Sequence, residues 1–270
     1  MFHYAGAYSI AKANGLPFYF YDHNNIKDVF YITANLVSKK EIEDFKGTRK
    51  TSMIGRSFGF DKRMFDISHD TDTLIRPHMW SWMYFQDYEQ DIKKEFLFKH
   101  EVLVEANAKL EEKTKEIIQR FGRDKTTLVG VHIRRGDTVW PVLQDRGTIQ
   151  PPLSYYYNAM DYYKQTFGEN TAFVFCSDGM EWVEENFQNV TAKYNILFMD
   201  SGNNWAVDMA ILTLCDHSII SVGTFGWWSA YLTGGTVVHY TYVAREGSAI
   251  REHFSTDLED YFYPNWISME

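Results

Sequence analysis

Short apolar runs alternate with amphipathic segments along the second half of the chain. The runs are six to eight residues long and rich in β-branched and aromatic side chains, a composition typical of buried strands. They lie at 126–133, 171–177, 194–200, 217–223 and 235–240. The segments between them have the apolar spacing of helices and lie at 151–167, 179–187, 203–216 and 225–232. This alternation predicts an α/β domain with a parallel, doubly wound sheet.

The first half of the chain has more helical patterns and fewer strands. Its opening residues, "MFHYAGAYSIAKANG", predict a helix that ends at Gly15. Residues 100–121 repeat apolar side chains at helical spacing and carry charges on the opposite face. Residues 16–21 form a candidate strand, whereas 44–84 read as loops. We therefore expect an incomplete, α-rich N-terminal domain, a Rossmann-like domain and a tail that packs back on the body, at 1–122, 123–245 and 246–270 respectively.

The composition limits the class of function. Apolar residues make up 45% of the 270 positions and charged residues 23%, as in a globular protein with a buried core. The formal net charge of −9 argues against a general surface for nucleic acid or anionic membranes. No run of eighteen apolar residues occurs, so the sequence predicts no membrane-spanning helix. Cys176 and Cys215 each lie in an apolar stretch, which predicts buried free thiols rather than a disulfide.

Polar residues and glycines follow the predicted strands at the point where each strand ends. These polar segments lie at 134–137, 177–179, 200–202 and 223–226. In an open parallel sheet, ligands bind beyond the carboxyl ends of the strands. Arg134 and Arg135 end the first strand next to His132, and guanidinium groups match the oxygens of a phosphate. The sequence therefore predicts an anion site at this edge of the sheet, with an ion pair to Asp137 as the alternative use of the arginines.

Common cofactor motifs are missing around these strands. The Gly-x-Gly-x-x-Gly signature is absent from the first strand–helix turn, which argues against a nicotinamide cofactor. No Gly-x-x-x-x-Gly-Lys-Ser/Thr loop occurs, which disfavours an NTPase. Asp70 and Asp72 form an Asp-x-Asp pair of the kind that binds a divalent ion on a nucleotide diphosphate. A metal-dependent transferase is therefore a second hypothesis, although such pairs are common on protein surfaces.

Two long segments resemble motifs of a known enzyme family. "VHIRRGD", residues 131–137, resembles the His-x-Arg-Arg-Gly-Asp motif of the α-1,2-fucosyltransferases, which α-1,6- and protein O-fucosyltransferases share in looser form. "DMAILTLCDHSIISVGTFGWWSAYLTGG", residues 208–235, resembles a second motif of the α-1,2 group. The resemblance covers nearly the whole chain. It implies an inverting, two-domain glycosyltransferase of the GT-B type. Such an enzyme moves L-fucose from GDP-fucose to the 2-hydroxyl of a terminal galactose on a glycan, without a cofactor or obligatory metal.

The resemblance also implies roles for individual residues. Arg134 would bind the β-phosphate and stabilise the departing GDP, and His132 would contact the diphosphate or the fucose. Arg135 would bind the donor or hold the loop through a salt bridge. Asp137 would be structural or assist the acceptor hydroxyl, and Asp178 would lie near the guanine. The other positions assigned to the GDP-fucose site are Asp208, Ser221, Thr224 and Phe225.

The resemblance extends to the ends of the chain and to its location. The opening twenty residues resemble the segment that follows a Gly-x-Gly-Asn-Gln loop in this family, so we expect an N-terminally truncated chain. The family implies the lumenal side of the Golgi membrane, reached through an anchor that this chain lacks, and a galactose-terminated glycan as acceptor. A non-catalytic relative that binds nucleotide or glycan is the alternative. Asn189 begins the sequon Asn-Val-Thr and would carry a glycan if the chain entered the secretory pathway.

Overall fold

Helices and short strands alternate through the computed structural model, which describes residues 1–22, 25–48, 51–52, 58–70, 72–75 and 78–270. The helices are α1 (Phe2–Ala13), α2 (Lys39–Thr48), α3 (Glu89–Glu95), α4 (His100–Phe121), α5 (Pro141–Arg146), α6 (Leu153–Phe167), α7 (Met180–Phe187), α8 (Thr191–Tyr194), α9 (Trp205–Thr213) and α10 (Thr224–Thr233). The strands are β1 (Tyr19–Phe20), β2 (Asn35–Leu36), β3 (Thr51–Ser52), β4 (Asp72–Thr73), β5 (Thr127–Ile133), β6 (Thr171–Ser177), β7 (Ile196–Phe198), β8 (His217–Ile220), β9 (Val237–Tyr240) and β10 (Ile267–Met269).

The hydrophobic pattern of the second half is confirmed element by element. Each of the five predicted strands and four predicted helices is present, with ends within a few residues of the expected positions. The strand expected at 217–223 ends early, at Ile220, because Ser221–Gly223 form the turn into α10. Three short elements, α5, α8 and β10, were not predicted, since a segment of three to six residues shows no clear periodicity.

The strands β5–β10 form one parallel sheet in the order β10-β9-β8-β5-β6-β7. Within this sheet, the chain first forms β5 in the middle and then β6 and β7 towards one edge. It then crosses over to form β8, β9 and β10 on the other side of β5. This is the strand order of a Rossmann-type doubly wound sheet, with its reversal between β5 and β8. A crevice opens at such a reversal, because the helices that follow the two strands cover opposite faces of the sheet.

Both faces of this sheet are buried. On one face, Val129, Val131 and Ile133 pack against the apolar sides of α6 and α7. On the other face, Gly130 lets α9 approach closely, since a Cβ at this position would lie 3.0 Å from Leu212 Cδ2. Near-continuous apolar strands of this kind are expected when helices cover a parallel sheet on both sides.

The chain divides into two compact units, Met1–Lys99 with Glu252–Pro264 and His100–Arg251 with Asn265–Glu270. The boundary therefore lies before α4, rather than near residue 122 as the sequence pattern suggests. The reason is the buried stripe of α4, which includes Ala106, Leu110 and Ile117 and packs on α9. The tail at 246–270 is shared between the units, and its last strand, β10, extends the sheet beside β9.

The first unit is held together by aromatic side chains. In α1, the ring of Tyr4 meets Phe18 and Phe20 at centroid distances of 5.2 and 5.0 Å in edge-to-face contacts. The hydroxyl of Tyr4 and the backbone N–H of Thr33 both donate to the buried carboxylate of Glu95, over 2.5 and 2.7 Å. These bonds replace the water that the carboxylate loses on burial. Within the described residues, the strands of this unit form two parallel pairs, β1–β2 and β3–β4.

Candidate active site

The carboxyl ends of β5 and β8 are tied together where the strand order reverses. The backbone N–H of Ser221 donates to the carbonyl of His132 over 3.1 Å, and the hydroxyl of Ser221 accepts the N–H of Arg134 over 2.8 Å. On the other side of β5, the hydroxyl of Ser177 donates to the carbonyl of Ile133 over 2.7 Å. The segment that leaves β5 is therefore held by both neighbouring strands.

Arg134 lies between two carboxylates. Its Nη1 donates to Asp178 Oδ2, and its Nη2 donates to Asp137 Oδ1 over 2.5 Å. The ion pair with Asp137 is the alternative that the sequence left open, and it is present here. It does not exclude an anion, because a guanidinium has five N–H donors and these two bonds engage only part of them. About a third of the Arg134 side chain, 32%, stays exposed to solvent.

Asp178 links the turn after β6 to the turn after β5. One oxygen binds Arg134, and the other, Oδ1, accepts the backbone N–H of Arg135 over 2.6 Å. Gly136 permits this approach, because a Cβ at residue 136 would lie 2.2 Å from Asp178 Oδ2. Asp178 thus closes the loop that carries both arginines, and its expected position near a guanine stays a prediction.

The second arginine has different surroundings. The guanidinium of Arg135 lies 4.0 Å from the ring centroid of Trp182 on α7, in a cation–π contact. A salt bridge was one of the two roles considered for Arg135, and it does not form within the described residues, because the two nearby carboxylates pair with Arg134 instead. Arg135 therefore braces the loop against α7.

His132 is the buried member of the cluster. It is 4% exposed, and its ring lies 4.9 Å from the ring of Phe225 on α10. Burial is the main cause that lowers the pKa of His132 to about 4; the charge of Asp178 opposes this shift and the charge of Arg134 adds to it. The imidazole is therefore neutral at neutral pH. Its Nδ1 is buried and has no hydrogen-bond partner within the described part of the chain.

Helix α10 begins at the same edge of the sheet. Gly223 precedes it with a φ of +93°, a left-handed conformation that glycine adopts readily. Thr224 is the first helical residue, Phe225 the second, and both are partly exposed. The first N–H groups of a helix have no acceptor within it, so this end of α10 favours an anion. A Cβ at Gly223 would lie 4.0 Å from Arg134 Cγ, which places the helix start beside the arginine.

Asp208, in the first turn of α9, has separate partners. Its Oδ1 accepts the side-chain amide of Asn203 over 2.9 Å. Burial raises the pKa of Asp208 to about 6, and the charges of Lys109 and Asp200 act on it with opposite signs. Asp200 also lines a cleft of about 600 Å³ at the end of β7. Asp208, Asn203, Asp200 and Lys109 thus form a second cluster, whereas the other predicted site residues gather at the strand reversal. The charge of Asp208 also acts on Cys176, which lies in register with His132.

The acidic pair from the N-terminal half lies in the first unit. Asp70 and Asp72 flank Thr71, which is outside the described residues. No group of three or more His, Cys, Asp or Glu side chains that could hold a metal ion occurs in the part of the chain that the structure describes. Among the described helices, none combines the length and apolarity needed to cross a membrane.

The remaining predicted positions are the sequon and the two cysteines, of which Cys176 lies on β6 in register with His132. Asn189 is exposed in a short 3-10 turn, Gln188–Val190, between α7 and α8. Cys176 and Cys215 are both buried and free, as the apolar context predicted, and burial raises the pKa of both thiols. Buried thiols of raised pKa are poor nucleophiles, so their place is in packing rather than chemistry.

Two residues of the site, Trp182 and Asn203, were missed from the sequence, and the contact made by a third, Gly226, was not predicted. Trp182 lies under Arg135, Asn203 binds Asp208, and Gly226 in α10 makes room for His132. Each acts through a contact between two different elements of the fold or through a loop conformation, and no spacing rule signals such contacts. Gly226 lies in the predicted polar segment 223–226 and in the 208–235 motif.

The chain is similar to known proteins in sequence and in fold. A family model described as glycosyl transferase family 11 matches residues 60–270. Galactoside alpha-(1,2)-fucosyltransferase 1 of Homo sapiens is 33% identical over 192 residues, which cover 70% of this chain and 50% of the human protein. The protein of the same name from Saimiri boliviensis boliviensis matches with the same identity and coverage. The chain therefore spans about half the length of the curated relatives it matches.

A solved structure shows the same fold. The structure of an Arabidopsis thaliana FUT1 mutant in complex with GDP aligns with a TM-score of 0.51 at 13% sequence identity. The alignment covers 90% of this chain and 67% of the Arabidopsis chain. Together with the parallel sheet, this likeness confirms the α/β fold of the GT-B type.

Proposed function

Because the chain belongs to glycosyl transferase family 11, we propose that it transfers L-fucose from GDP-fucose to the 2-hydroxyl of a terminal galactose, with inversion at the anomeric carbon. One observation carries the proposal: Arg134, His132 and the start of α10 converge where a Rossmann-type sheet reverses its strand order. Guanidinium, imidazole and helix-end N–H groups all donate hydrogen bonds, and a diphosphate supplies acceptors on several sides.

Arg134 acts on the leaving group. When the acceptor oxygen attacks the anomeric carbon, the bond from that carbon to the β-phosphate oxygen breaks, and its electron pair stays on GDP. Negative charge therefore develops on the phosphate. The guanidinium is already positioned by Asp178 and Asp137, so it needs no reorganisation at that moment. Loss of such a group costs about 3 kcal/mol in the barrier, or about a hundredfold in rate.

Asp137 is the candidate base. The acceptor hydroxyl must lose its proton as the new glycosidic bond forms, and a carboxylate can take it. Asp137 is 44% exposed and its side chain pairs with Arg134, whereas Asp178 is also bound by a backbone amide. In this step the acceptor gains fucose, GDP leaves with the electron pair, and the proton passes to Asp137.

The donor would lie along the strand reversal. We assign His132 to the diphosphate or the fucose, and Thr224 and Phe225 to the wall formed by the start of α10. Ser221 positions Arg134 through its backbone bond. Arg135 is assigned to the same pocket, where it holds the loop. The positive charge of Arg134 and the start of α10 supply the role that a metal has in other transferases, so the proposal includes no obligatory metal or cofactor.

The two other carboxylates are assigned to the nucleotide. An ionised carboxylate only accepts hydrogen bonds, which suits the N–H groups of a guanine. We keep Asp178 near the guanine and Asp208 within reach of the nucleotide. The lumenal side of the Golgi membrane is proposed from the family alone, and the exposed Asn189 would be accessible to glycosylation there.

The test is fucose transfer from GDP-fucose to a β-galactoside in excess chelator. We expect transfer by the wild-type chain, a loss of about a hundredfold in Arg134→Ala, and a smaller loss in Arg135→Ala. The second variant is the matched control, because it removes the same charge one residue away. Identical losses in both variants would show that net positive charge, rather than the position of Arg134, matters.

Other outcomes separate the alternatives. Binding of GDP without any transfer would indicate a non-catalytic relative. Activity that vanishes in chelator and returns with a divalent ion would favour the metal-dependent hypothesis, and replacement of Asp70 or Asp72 by asparagine would then abolish it.

A further inference from the structure

Trp140 is an exposed tryptophan on the loop that carries the candidate site. It is 58% exposed, and in the described part of the chain its indole makes no hydrogen bond, ring contact or cation contact. Tryptophan is highly buried on average, so a ring displayed to this extent is unusual, although single exposed apolar side chains need no explanation by themselves. Trp140 is of functional interest because of its position in the chain, close to the proposed base.

The backbone places Trp140 next to the proposed base. Its N–H donates to the carbonyl of Asp137 over 3.0 Å, which closes the 3-10 turn Asp137–Val139. The N–H of Val139 donates in turn to the carbonyl of Arg135 over 3.2 Å. A four-residue turn keeps its first and last Cα atoms within about 7 Å. The indole is therefore carried on the same short turn as the carboxylate that would receive the acceptor's proton.

The turn is braced rather than free. The hydroxyl of Thr138 donates to the carbonyl of Arg135 over 2.8 Å and accepts the side-chain amide of Gln150 over 2.6 Å. Beyond α5, the backbone N–H of Arg245 donates to the carbonyl of Gly147 over 2.8 Å. These bonds fix the backbone on both sides of Trp140, so little ordering would be required when a ligand covers the ring.

We propose that the indole of Trp140 is the platform on which the terminal pyranose of the acceptor stacks; this rests on the proposed function. One face of a galactopyranose carries mostly C–H groups, while hydroxyls surround its rim. A tryptophan ring is large, flat and apolar, with a negative π face that attracts such C–H groups. Stacking would bury the C–H face and leave the hydroxyl rim next to Asp137. Val142 on α5, also 58% exposed, extends the apolar surface.

The guanine of the donor is the other flat group that could cover this ring. The arrangement of charges favours the acceptor. The start of α10, whose first N–H groups favour a phosphate, lies beside Arg134, whereas Trp140 follows Asp137, the group assigned to the acceptor hydroxyl. The two occupants affect different Michaelis constants, so kinetics distinguish them.

The experiment measures KM for a β-galactoside and for GDP-fucose in Trp140→Ala, Trp140→Phe and the matched control Trp205→Ala, a tryptophan 43% exposed on α9. We expect Trp140→Ala to raise the acceptor KM about tenfold, with the GDP-fucose KM and the melting temperature unchanged. Trp140→Phe keeps a flat ring and should restore most of the affinity. Trp205→Ala should leave the acceptor KM unchanged.

Three results would overturn the proposal while leaving the transferase assignment intact. These are an unchanged acceptor KM in Trp140→Ala, a change confined to the KM of GDP-fucose, and a fall in melting temperature that accounts for the loss. If the wild-type chain transfers no fucose, the proposed function fails instead. The platform is then tested by binding: titration of GDP-loaded protein with a β-galactoside should shift tryptophan fluorescence in wild type but not in Trp140→Phe. Equal shifts in both would refute it.

Discussion

Replacing Gly226 with alanine tests how closely α10 packs on the buried histidine of the site. A Cβ at this position would lie 2.7 Å from His132 Nδ1 and 3.3 Å from Ile220 Cβ, where ordinary contact begins at 3.4 Å. The imidazole, 4% exposed, has little room to turn away, and Ile220 closes the other side. The methyl group must therefore displace either the histidine or the helix.

Two effects of opposite sign set the magnitude. Alanine is favoured over glycine in a helix by about 1 kcal/mol. Overpacking of a buried site costs about 1–3 kcal/mol. Because the overlap with His132 is about 0.7 Å on a rigid ring, we expect the steric cost to exceed the helix gain. The net result is a loss of about 1 kcal/mol, which lowers the melting temperature by about 2–4 °C.

The assay is urea unfolding of four proteins: wild type, Gly226→Ala, His132→Ala and the double variant. Without the imidazole, the new methyl group enters empty space, so Gly226→Ala should become neutral or stabilising in the His132→Ala background. Calorimetric titration of Gly226→Ala with GDP should also show weaker binding, since the histidine has moved. Gly202→Ala is the matched control, because nothing lies within 4 Å of its Cβ position.

An equal cost of Gly226→Ala in both backgrounds would refute this reasoning, because the loss would then not pass through His132. Gly226→Ala more stable than wild type would refute it as well. Loss of GDP affinity without loss of stability would mean that the methyl group reaches the ligand directly.

The remaining predictions concern stability, measured by urea unfolding. Burial raises the pKa of Asp208 from 3.8 to about 6. Burying this side chain therefore costs no stability below about pH 4, where it is neutral in the folded and unfolded states, and the protein loses stability as the pH rises through 6 and the buried carboxyl ionises. Asp208→Asn should match wild type at pH 4 and exceed it at pH 7 by up to about 3 kcal/mol. Gly147 has a φ of +113°, and its Cβ would lie 2.2 Å from Ser248 Cβ, so Gly147→Ala should cost about 2 kcal/mol or more, only part of which Ser248→Gly recovers. The buried hydroxyl of Tyr155 donates to the carbonyl of Ile220 over 2.6 Å, and Tyr155→Phe should cost about 1–2 kcal/mol.

The sheet was predictable because its strands are buried on both faces. A strand such as β5 reads as a continuous apolar run, and a polar segment follows at once, so both its extent and its functional end are visible in the letters "LVGVHIRRGD". The strand β10 was not predicted because its three residues, "ISM", are only partly buried at the edge of the sheet. The boundary between the two units was not predicted because α4 has the same helical pattern whichever unit its apolar stripe packs against.

The residue types of the site were predictable for a related reason. Parallel strands bring their carboxyl ends to one edge, so residues that are far apart in sequence, such as Arg134, Asp178 and Ser221, were expected together. The ion pairs that these residues form could not be predicted. The same two carboxylates could have paired with Arg134 or with Arg135, and only the packing of α7, which places Trp182 under Arg135, decides between them.

The sequence by itself thus determined the order of strands and helices, the parallel sheet and the edge at which charged residues collect, since these follow from hydrophobic period and chain direction. The tertiary structure alone decided that Arg134 is held by two carboxylates, that His132 is buried and neutral, and that Asp208 belongs to a second cluster. The physical reason is that protonation and pairing depend on burial and on distances of a few ångströms between distant segments, and those are set only when the helices pack.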